Sequence, residues 1–295
     1  MSDSQAYLIV NADDYGYFRC VSCGILEAAT QGIVTATGVI ANVDDLAALA
    51  PALRDCPGLD AGVHLNLTAG TPLTPAMREN CARWGGTFPG KFAMVGAVLS
   101  GAVRMQDVEH EWQAQIERCL AVGLKLTFLN SHEHIHMLPS LFGIATALAH
   151  HYGIAHVRYT GVERPAHWSA SALLRSAIVA SLQAANAWRA RPPAPRLLGL
   201  EPSGRLDESY LQRVVPRLRR GIVYELMCHP GRLDGAEVKD PRLLAYHDWE
   251  GELATLTRPS VRELLQRCGV RLIRYHDLQV RDGRLVPIAR AAEVA

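Results

Sequence analysis

Short apolar runs of strand length alternate with longer segments of helical pattern along almost all of this 295-residue chain. The apolar runs predict strands at residues 7–10, 35–40, 61–65, 124–130, 155–159, 197–200, 222–228 and 270–274. The pattern between them predicts helices at residues 20–30, 47–53, 107–121, 139–151, 170–188, 206–219 and 259–268. Repeated strand–helix units form a parallel sheet with helices outside it. The sequence therefore predicts an α/β fold, and a distorted (β/α) barrel of the TIM-barrel type fits better than an open sheet.

Two segments interrupt this alternation. Residues 69–104 are rich in Gly, Pro and Thr and predict a loop excursion, and loops of that length usually have a function. Residues 165–196 predict a helical insertion. Its proline-rich end at 191–195 is the best candidate for a domain break, but we interpret it as a loop. We therefore expect a single domain over residues 1–295.

The charge balance excludes one broad class of partner. The chain has 30 Lys and Arg against 29 Asp and Glu, a net charge of +1, so no overall field draws it to nucleic acid. Its seven cysteines are scattered, which indicates a reducing compartment rather than a disulfide framework. The first residues lack the features of a signal peptide, and no apolar run reaches the ~18 residues of a membrane span. We expect a cytoplasmic protein.

Acids and histidines lie at the ends of four predicted strands. Asp13 and Asp14 follow the first strand, His64 lies in the third, the segment 131–136 follows the fourth, and His229 follows the seventh. Active sites of parallel α/β folds form at the carboxyl ends of the strands. We therefore expect these side chains to meet at one mouth of the barrel.

The adjacent acids have two interpretations. If the strand breaks at a turn before Gly16, both carboxylates can face the mouth, where one binds a cation and the other handles protons. Alternatively, Asp13 and Asp14 are turn-forming residues or a helix N-cap.

The histidine cluster also has two interpretations. His132, His134 and His136 occupy alternate positions, so a strand would project them to one face, whereas in a helix His132 and His136 would share a face. Either geometry suits a metal ion, and surface histidines on a polar loop are the alternative. Alternation also puts Glu225 on the face of His229, where a buried carboxylate needs a partner. Glu225 is therefore a candidate partner of an active-site group, or part of a salt bridge with no catalytic role.

These groups suit the hydrolysis of an amide. One Asp and two His around a divalent ion leave positions open for water. Such an ion lowers the pKa of water from ~15.7 toward ~7 and polarises a carbonyl. A second carboxylate then takes a proton, and a histidine gives one to the leaving amine.

In their order along the chain, four motifs resemble the YdjC-like carbohydrate deacetylases, a family that includes members associated with hopanoid biosynthesis. The motifs are Leu-Ile-Val-Asn-Ala-Asp-Asp-Tyr-Gly at 8–16, Gly-Val-His at 62–64, Ser-His-Glu-His-Ile-His at 131–136 and Glu-Leu-Met-Cys-His-Pro at 225–230. The resemblance extends from residue 8 to about residue 278. It implies a distorted β/α barrel and an enzyme that removes the N-acetyl group of an N-acetylhexosamine.

The resemblance also implies roles for five residues. Asp14, His64 and His132 would bind one divalent metal ion. Asp13 would be the general base and His229 the general acid. Magnesium and zinc both fit the resemblance, and two imidazole ligands favour zinc.

Other residues would support this site. His136 is a further ligand or a substrate contact, and His134 is placed with it near the substrate. Arg158, at the end of the fifth predicted strand, would hold substrate or orient Asp13. Some members have Asp where this chain has Asn130, so a supporting carboxylate is in doubt there.

Soluble chitooligosaccharides and lipid-linked aminosugars both fit the resemblance as substrates. The predicted helix at 170–188 has an apolar stripe with an aromatic and basic flank, formed by Leu174, Ile178, Leu182, Ala185, Trp188, Arg189, Arg191 and Arg196. Such a helix can lie on an anionic membrane surface, which would bring the enzyme to a glycolipid at the inner face of the membrane. The stripe also fits a helix packed against the barrel. The barrel rim would also allow a homodimer.

Two other functions compete with deacetylation. A metal-dependent phosphoesterase or amidohydrolase-type barrel would use similar ligands. Amidohydrolase barrels, however, generally place a His-x-His motif after the first strand, where this chain has Asp13 and Asp14. A saccharide- or lipid-carrier-binding barrel without catalysis is the non-enzyme alternative, although the chain has every chemical group that the reaction needs.

Overall fold

A parallel sheet forms the centre of the fold in the computed structural model, which describes residues 5–161, 170–188 and 193–288. Its strands in chain order are β1 (Ala6–Tyr15), β2 (Ala36–Val39), β3 (Asp60–Leu65), β4 (Leu126–Ser131), β5 (His156–Val157), β6 (Arg196–Leu198), β7 (Val223–Cys228) and β8 (Val270–Leu272). All their pairings are parallel. A separate antiparallel hairpin follows, made of β9 (Leu278–Arg281) and β10 (Arg284–Pro287).

Helices follow most of the strands, as the sequence predicts. They are α1 (Arg19–Thr30), α2 (Leu46–Arg54), α3 (Pro75–Asn80), α4 (Lys91–Leu99), α5 (Met105–Ala121), α6 (Pro139–His151), α7 (Ala170–Asn186), α8 (Glu208–Val214), α9 (Pro241–Tyr246), α10 (Trp249–Thr257) and α11 (Pro259–Arg267). Short 3-10 helices span Ala82–Trp84, His132–Met137, Val215–Arg217 and Tyr275–Asp277.

The sheet curls into a barrel that does not close. The strand order is β5-β4-β3-β2-β1-β7-β6, so β5 and β6 are its two edges within the described residues. β8 pairs with β1 over residues 6–8, beside the stretch of β1 at residues 11–15 that pairs with β2. The prediction of a distorted (β/α) barrel is confirmed, and the distortion is the open seam between β5 and β6 together with the displaced β8.

Alternation along β1 separates two hydrophobic cores. Leu8 and Val10 point outward and pack among the helices in the larger core. Tyr7 and Ile9 point into the barrel, where Phe128, Tyr275 and other apolar side chains form the smaller core. Because both faces of these strands are buried, the strands read as continuous apolar runs in the sequence.

Aromatic rings close the floor of the barrel. Phe128 and Tyr275 stack with their ring centroids 4.3 Å apart and their planes at 20°. Tyr275 belongs to the 3-10 helix after β8, so this segment closes the barrel below the polar groups of the next layer. The interior is thus apolar at the amino ends of the strands and polar at their carboxyl ends.

The excursion at residues 69–104 is not a plain loop. It contains α3, α4 and a 3-10 helix, and Pro75 begins α3 after the cap residue Thr74, whose side chain accepts a hydrogen bond from the Met77 amide. The Glu111 carboxylate accepts the amides of Leu73 and Thr74 at 2.9 and 2.8 Å. These bonds fix the start of the excursion to α5.

The predicted insertion at residues 165–196 is described in part. It includes α7, whereas residues 162–169 and 189–192 lie outside the described residues. Arg196 starts β6, so the end of the predicted insertion belongs to the main sheet.

Candidate metal centre and active site

Three potential metal ligands converge at the carboxyl ends of the strands. The Asp14 Oδ1 atom lies 3.2 Å from His64 Nε2 and 3.0 Å from His132 Nδ1. One ligand atom from each residue lies within 4.8 Å of the other two. One carboxylate and two imidazoles are a donor set that suits a divalent transition metal, so these residues fit a metal ion.

A backbone irregularity turns Asp14 into this cluster. We predict from the sequence that the strand ends in a turn, but β1 continues to Tyr15, and its register with β2 shifts between Ala12 and Tyr15. Asp14 has φ of 73° within that shift. This left-handed conformation is uncommon outside glycine, although Asp tolerates it better than most residues. The shift lets Asp13 and Asp14 both face the mouth.

Asn130 fixes the orientation of the His64 ring. The Asn130 Oδ1 atom lies 2.7 Å from His64 Nδ1, which leaves Nε2 to face Asp14. Gly38 makes room for this contact, because a Cβ atom there would lie 3.0 Å from both Asn130 Oδ1 and His64 Nδ1. Groups that orient metal-binding histidines in this way tune the affinity of the site.

The side-chain amide of Asn130 also forms a hydrogen bond with the Asp13 carboxylate. Its Nδ2 atom donates a hydrogen bond of 2.8 Å to Asp13 Oδ1. An ionised aspartate there would repel Asp13 instead. Asn130 therefore joins the metal centre to the Asp13 carboxylate in a way that an acid would not.

A buried ion-pair chain holds Asp13. Arg158 donates to Asp13 Oδ2 at 2.6 Å and to Oδ1 at 3.0 Å, and Asn11 donates to Oδ1 at 2.7 Å. On its other side, Arg158 donates through Nε to Glu225 Oε1 at 2.7 Å. Burial raises the pKa of Asp13, but Arg158 and then His64 outweigh that effect and lower it to about 2. Asp13 is therefore ionised throughout the neutral range.

The three clustered histidines take different positions, because residues 132–137 form neither a strand nor an α-helix. The segment is a 3-10 helix in which Glu133 and His134 have φ of 54° and 56°. His132 faces Asp14, whereas His134 contacts the Thr160 hydroxyl at 3.1 Å and lines the cavity. The segment therefore takes neither of the two geometries that the sequence left open, a strand with all three rings on one face or an α-helix with His132 and His136 on one face.

His136 supports the site through contacts with Ser131 and Arg158 rather than as a metal ligand. Its Nδ1 lies 2.5 Å from the Ser131 hydroxyl, and its Nε2 lies 2.9 Å from the Arg158 carbonyl oxygen. Burial, and then Arg158, lower the pKa of His136 to about 4, although the Arg158 carbonyl opposes this shift. A neutral ring with both nitrogens engaged holds Ser131 next to the carbonyl of Arg158, and neither nitrogen faces the metal ligands.

His229 follows β7, the strand that pairs with β1 as far as Ala12 and Cys228, so it lies beside Asp13. Its backbone amide donates to the Glu252 carboxylate, and its ring Nδ1 is buried with no hydrogen-bond partner among the described residues. Burial raises the pKa of Glu252. The imidazole of His229 lines the same cavity as Asp13 and the three potential ligands.

The cavity has a volume of about 720 Å³, within the usual range of small-molecule sites. Two walls were not anticipated from the sequence: residues 89–93, which lead into α4, and residues 240–247, which include α9. His247 belongs to the second of these walls, and Tyr17 is a further lining residue that was missed. Sequence signals for them are weak, because their walls come from segments without strand–helix periodicity.

The family assignment rests on a match over most of the chain. Residues 7–267 match the model of the family described as YdjC-like protein. The chain is a YdjC-like protein. Among the relatives of this YdjC-like protein, a carbohydrate deacetylase of Geobacillus stearothermophilus is 32% identical over 92% of this chain and 97% of its own length. A chitooligosaccharide deacetylase of Escherichia fergusonii is 31% identical, with coverages of 92% and 98%. A human carbohydrate deacetylase is 31% identical, with coverages of 97% and 96%.

A solved structure supports the same fold. A protein of Enterococcus faecalis V583, described as a candidate for cellobiose-phosphate cleavage, superposes on this YdjC-like protein with a TM-score of 0.69 at 26% identity. The match covers 92% of this chain and 98% of that protein. In the described part of this chain, every helix is too short or too polar to cross a bilayer.

Proposed function

We propose that this YdjC-like protein is a metal-dependent deacetylase that hydrolyses the N-acetyl group of an N-acetylhexosamine. The observation that carries the proposal is the convergence of Asp14, His64 and His132 with Asp13 and His229 around one cavity. The relatives described as carbohydrate and chitooligosaccharide deacetylases support the same reaction and substrate class.

Asp14, His64 and His132 would hold one divalent ion. The two imidazoles favour Zn²⁺ over Mg²⁺, which prefers oxygen ligands. Such an ion supplies Lewis acidity toward the acetyl carbonyl and makes water more acidic.

Asp13 is the proposed general base. Arg158 and Asn130 hold its carboxylate in one orientation, and its low pKa keeps it ionised. The ionisation of Asp13 therefore does not limit activity near neutral pH. Its task is to accept a proton from the attacking water at a fixed place in the cavity.

His229 is the proposed general acid. It lines the cavity at the end of the strand that pairs with the strand of Asp13, so both groups can reach the same acetamido group. Amines leave poorly unless protonated, and a positioned acid typically contributes ~10²–10⁴ in rate. The Glu252 carboxylate fixes the backbone of His229 through its amide.

The sugar is either part of a soluble saccharide or linked to a lipid, and exposed apolar groups, one of them at the cavity wall, support the second choice. Phe92, at the cavity wall, is 86% exposed, and Leu99 on the same helix is 70% exposed. Trp188, just after α7, is 76% exposed. These groups would contact a lipid chain or the inner face of a membrane.

The stripe predicted on α7 supports this idea only in part. Ile178 is half exposed, but Leu182 packs against the main core. The side chain of Leu174 and residues Arg189 and Arg191 lie outside the described residues, whereas Arg196 is exposed in β6. The part of α7 near Leu182 thus matches a helix packed against the barrel.

The test is acetate release by the metal-loaded protein from N-acetylglucosamine oligomers and from a prenyl-phosphate-linked N-acetylhexosamine. Asp13→Asn and His132→Ala serve as inactive variants. Release from either substrate that is lost in both variants supports deacetylation. No release from either, where a known deacetylase works, refutes it, and hydrolysis of nitrophenyl phosphate would then favour a phosphoesterase. Tight sugar binding without release would favour a binding protein.

The membrane and dimer proposals need separate measurements. We expect anionic liposomes to sediment the protein and Phe92→Ser to weaken that sedimentation. If neither neutral nor anionic liposomes sediment it, the membrane proposal fails. Light scattering tests the homodimer, and the mass of a monomer at micromolar concentration would refute it.

A further inference from the structure

A second histidine contacts the proposed general acid. The rings of His247 and His229 meet edge to face, with their centroids 5.1 Å apart and their planes at 61°. On its other side, His247 stacks on Trp249 at 4.7 Å with an interplanar angle of 11°. Trp249 is only 2% exposed and belongs to the main core, so it is a fixed support. His247 is thereby held between the core and His229.

Both histidine rings carry an unsatisfied nitrogen. The Nδ1 atoms of His229 and His247 are buried and have no hydrogen-bond partner among the described residues. Burying a polar atom without a hydrogen-bond partner is unfavourable, so such atoms usually have a use. The two rings are in contact, so a small rotation would let their Nδ1 atoms form a hydrogen bond with each other.

The neighbouring Glu252 carboxylate is already engaged by backbone amides. Glu252 accepts the backbone amides of His229 and Leu206, the latter at 3.1 Å. It therefore anchors the backbone of His229, while the ring Nδ1 of His229 has no hydrogen-bond partner among the described residues. His247 is the polar ring that contacts the imidazole of His229.

The charge state of His247 suits an acceptor. Burial, and then the charge of His229, lower the pKa of His247 to about 3, while Asp14 opposes the shift and His132 adds to it. A neutral imidazole has one acceptor nitrogen and one donor. Near neutral pH His247 can therefore accept a proton in a hydrogen bond.

We propose that His247 is a positioning residue that accepts the Nδ1–H of His229 and so keeps His229 Nε2–H directed at the leaving nitrogen. This inference rests on the proposed deacetylase function. In that reaction the amide C–N bond breaks, the water oxygen joins the acetyl carbon, and the nitrogen takes the proton of His229 Nε2. The Nδ1 proton stays on His229 throughout, and acetate and a free amine are the products.

The test compares His247→Phe with His247→Gln in the metal-loaded, full-length protein. Phe keeps a ring to stack on Trp249 but removes both nitrogens, whereas Gln retains an acceptor. His151→Phe is the matched control, since His151 is exposed at the end of α6 and packs edge-on against Tyr152 at 4.8 Å. Acetate release is measured across pH, with metal content and thermal unfolding measured on each variant.

We expect His247→Phe to lower kcat by about tenfold or more with little change in KM. The alkaline limb of its pH–rate profile moves to lower pH by about one unit, because an acid without its acceptor loses its proton more easily. His247→Gln restores most of the rate, and His151→Phe matches the wild type.

Several results would overturn the inference. A wild-type rate and pH profile for His247→Phe would do so. A change confined to KM would instead make His247 a substrate contact, and a fall in kcat that Gln does not rescue would point to packing alone. If the wild-type protein itself releases no acetate from any substrate, that result refutes the proposed deacetylase function. It is thereby distinguished from a failure of the role of His247, which shows only in an active wild type.

Discussion

Arg158→Met removes the cation that joins two buried carboxylates, and we expect it to destabilise the fold strongly at neutral pH. Arg158 is buried and lies 2.6 Å from both Asp13 Oδ2 and Glu225 Oε1. Methionine is similar in length and would fill the space without introducing another charge. The variant thus isolates the electrostatic role of Arg158.

The magnitude follows from the pKa of Asp13. Its fall from 3.8 to about 2 in the folded protein corresponds to about 2 kcal/mol of stabilisation. Removing one partner of a buried ion pair typically costs about 3–5 kcal/mol, because the remaining charge stays buried. We therefore expect a loss of about 3–5 kcal/mol at pH 7.

This loss should depend on pH in a defined direction. In the wild type, the folded pKa of Asp13 lies below its unfolded value. Its contribution is therefore complete above pH 3.8 and is lost only as the pH falls toward about 2. In Arg158→Met, burial acts on Asp13 without its main opposing charge and raises its pKa. Protonation of Asp13 then removes the unpaired buried charge of the variant. The difference in free energy of unfolding between the variant and the wild type therefore narrows as the pH falls.

Urea unfolding of the metal-free proteins at pH 7.5 and pH 5, followed by circular dichroism, measures both effects. The exposed pair of Arg267 and Glu263, 3.8 Å apart, provides the control. We expect Arg267→Met to change stability by at most about 0.5 kcal/mol. A loss below about 1 kcal/mol for Arg158→Met, or one that is equal at both pH values, would refute the reasoning.

Three further predictions concern the metal centre. Gly38→Ala forces a Cβ atom to within 3.0 Å of His64 Nδ1, so metal affinity by calorimetry falls about tenfold or more. Gly58→Ala is the control, because no atom lies within 4 Å of its new Cβ, and it should leave the metal affinity unchanged. Equal metal affinities for the Gly38→Ala and Gly58→Ala variants would contradict the strain argument. His136→Gln keeps one metal ion per chain by elemental analysis while His132→Gln loses it; metal loss in the first would make His136 a ligand. We expect a strong chelator to abolish acetate release and added Zn²⁺ to restore it, and full activity with the chelator present would exclude a metal requirement. Because imidazoles must be neutral to bind a metal, we also expect the protein to retain its metal less well below about pH 6.

The strands were the most predictable part of the fold. Strands with both faces buried leave continuous apolar runs, and each predicted run corresponds to a strand of the sheet. The prediction for 155–159 is longer than the observed β5, His156–Val157. That strand is short because it is an edge of the open sheet and has only β4 to pair with.

Helix α4 was missed because its pattern is not amphipathic. Its buried face includes Met94 and Val98, and its exposed face includes Phe92 and Leu99. A helix that is apolar on both faces has no periodic signal to separate it from a loop. The missing polar face is itself informative, because an exposed apolar face suggests a ligand or a surface that covers it.

Two other elements had signals that could have found them. Asp248 caps α10 by accepting the Gly251 amide at 3.0 Å, and Asp before an apolar-periodic segment is a helix start signal. Asp282 and Gly283, both with positive φ, join β9 to β10, and Asp-Gly between alternating residues is a strong hairpin signal.

The site was predictable as a set of residue types but not as an arrangement. The strand ends bring together Asp13, Asp14, His64 and His229 because parallel strands end at one mouth. The positive φ of Asp14, by contrast, depends on a register shift that no local pattern encodes. The contact of His247 with His229 is likewise a tertiary effect, since it depends on Trp249 in the core.

The open seam between β5 and β6 makes one connection of this fold unlike the others. In a closed barrel every strand is paired on both sides, so every connection joins two fully paired strands. Here the chain between β5 and β6 joins two free edges, and its length can change without breaking a strand pair. The proposed metal ligands lie on β1, on β3 and just after β4, outside the connection, whereas Arg158 and Thr160 at its start contact Asp13 and His134. Beyond Thr160, this connection can therefore change in length while the proposed metal ligands and Arg158 keep their places.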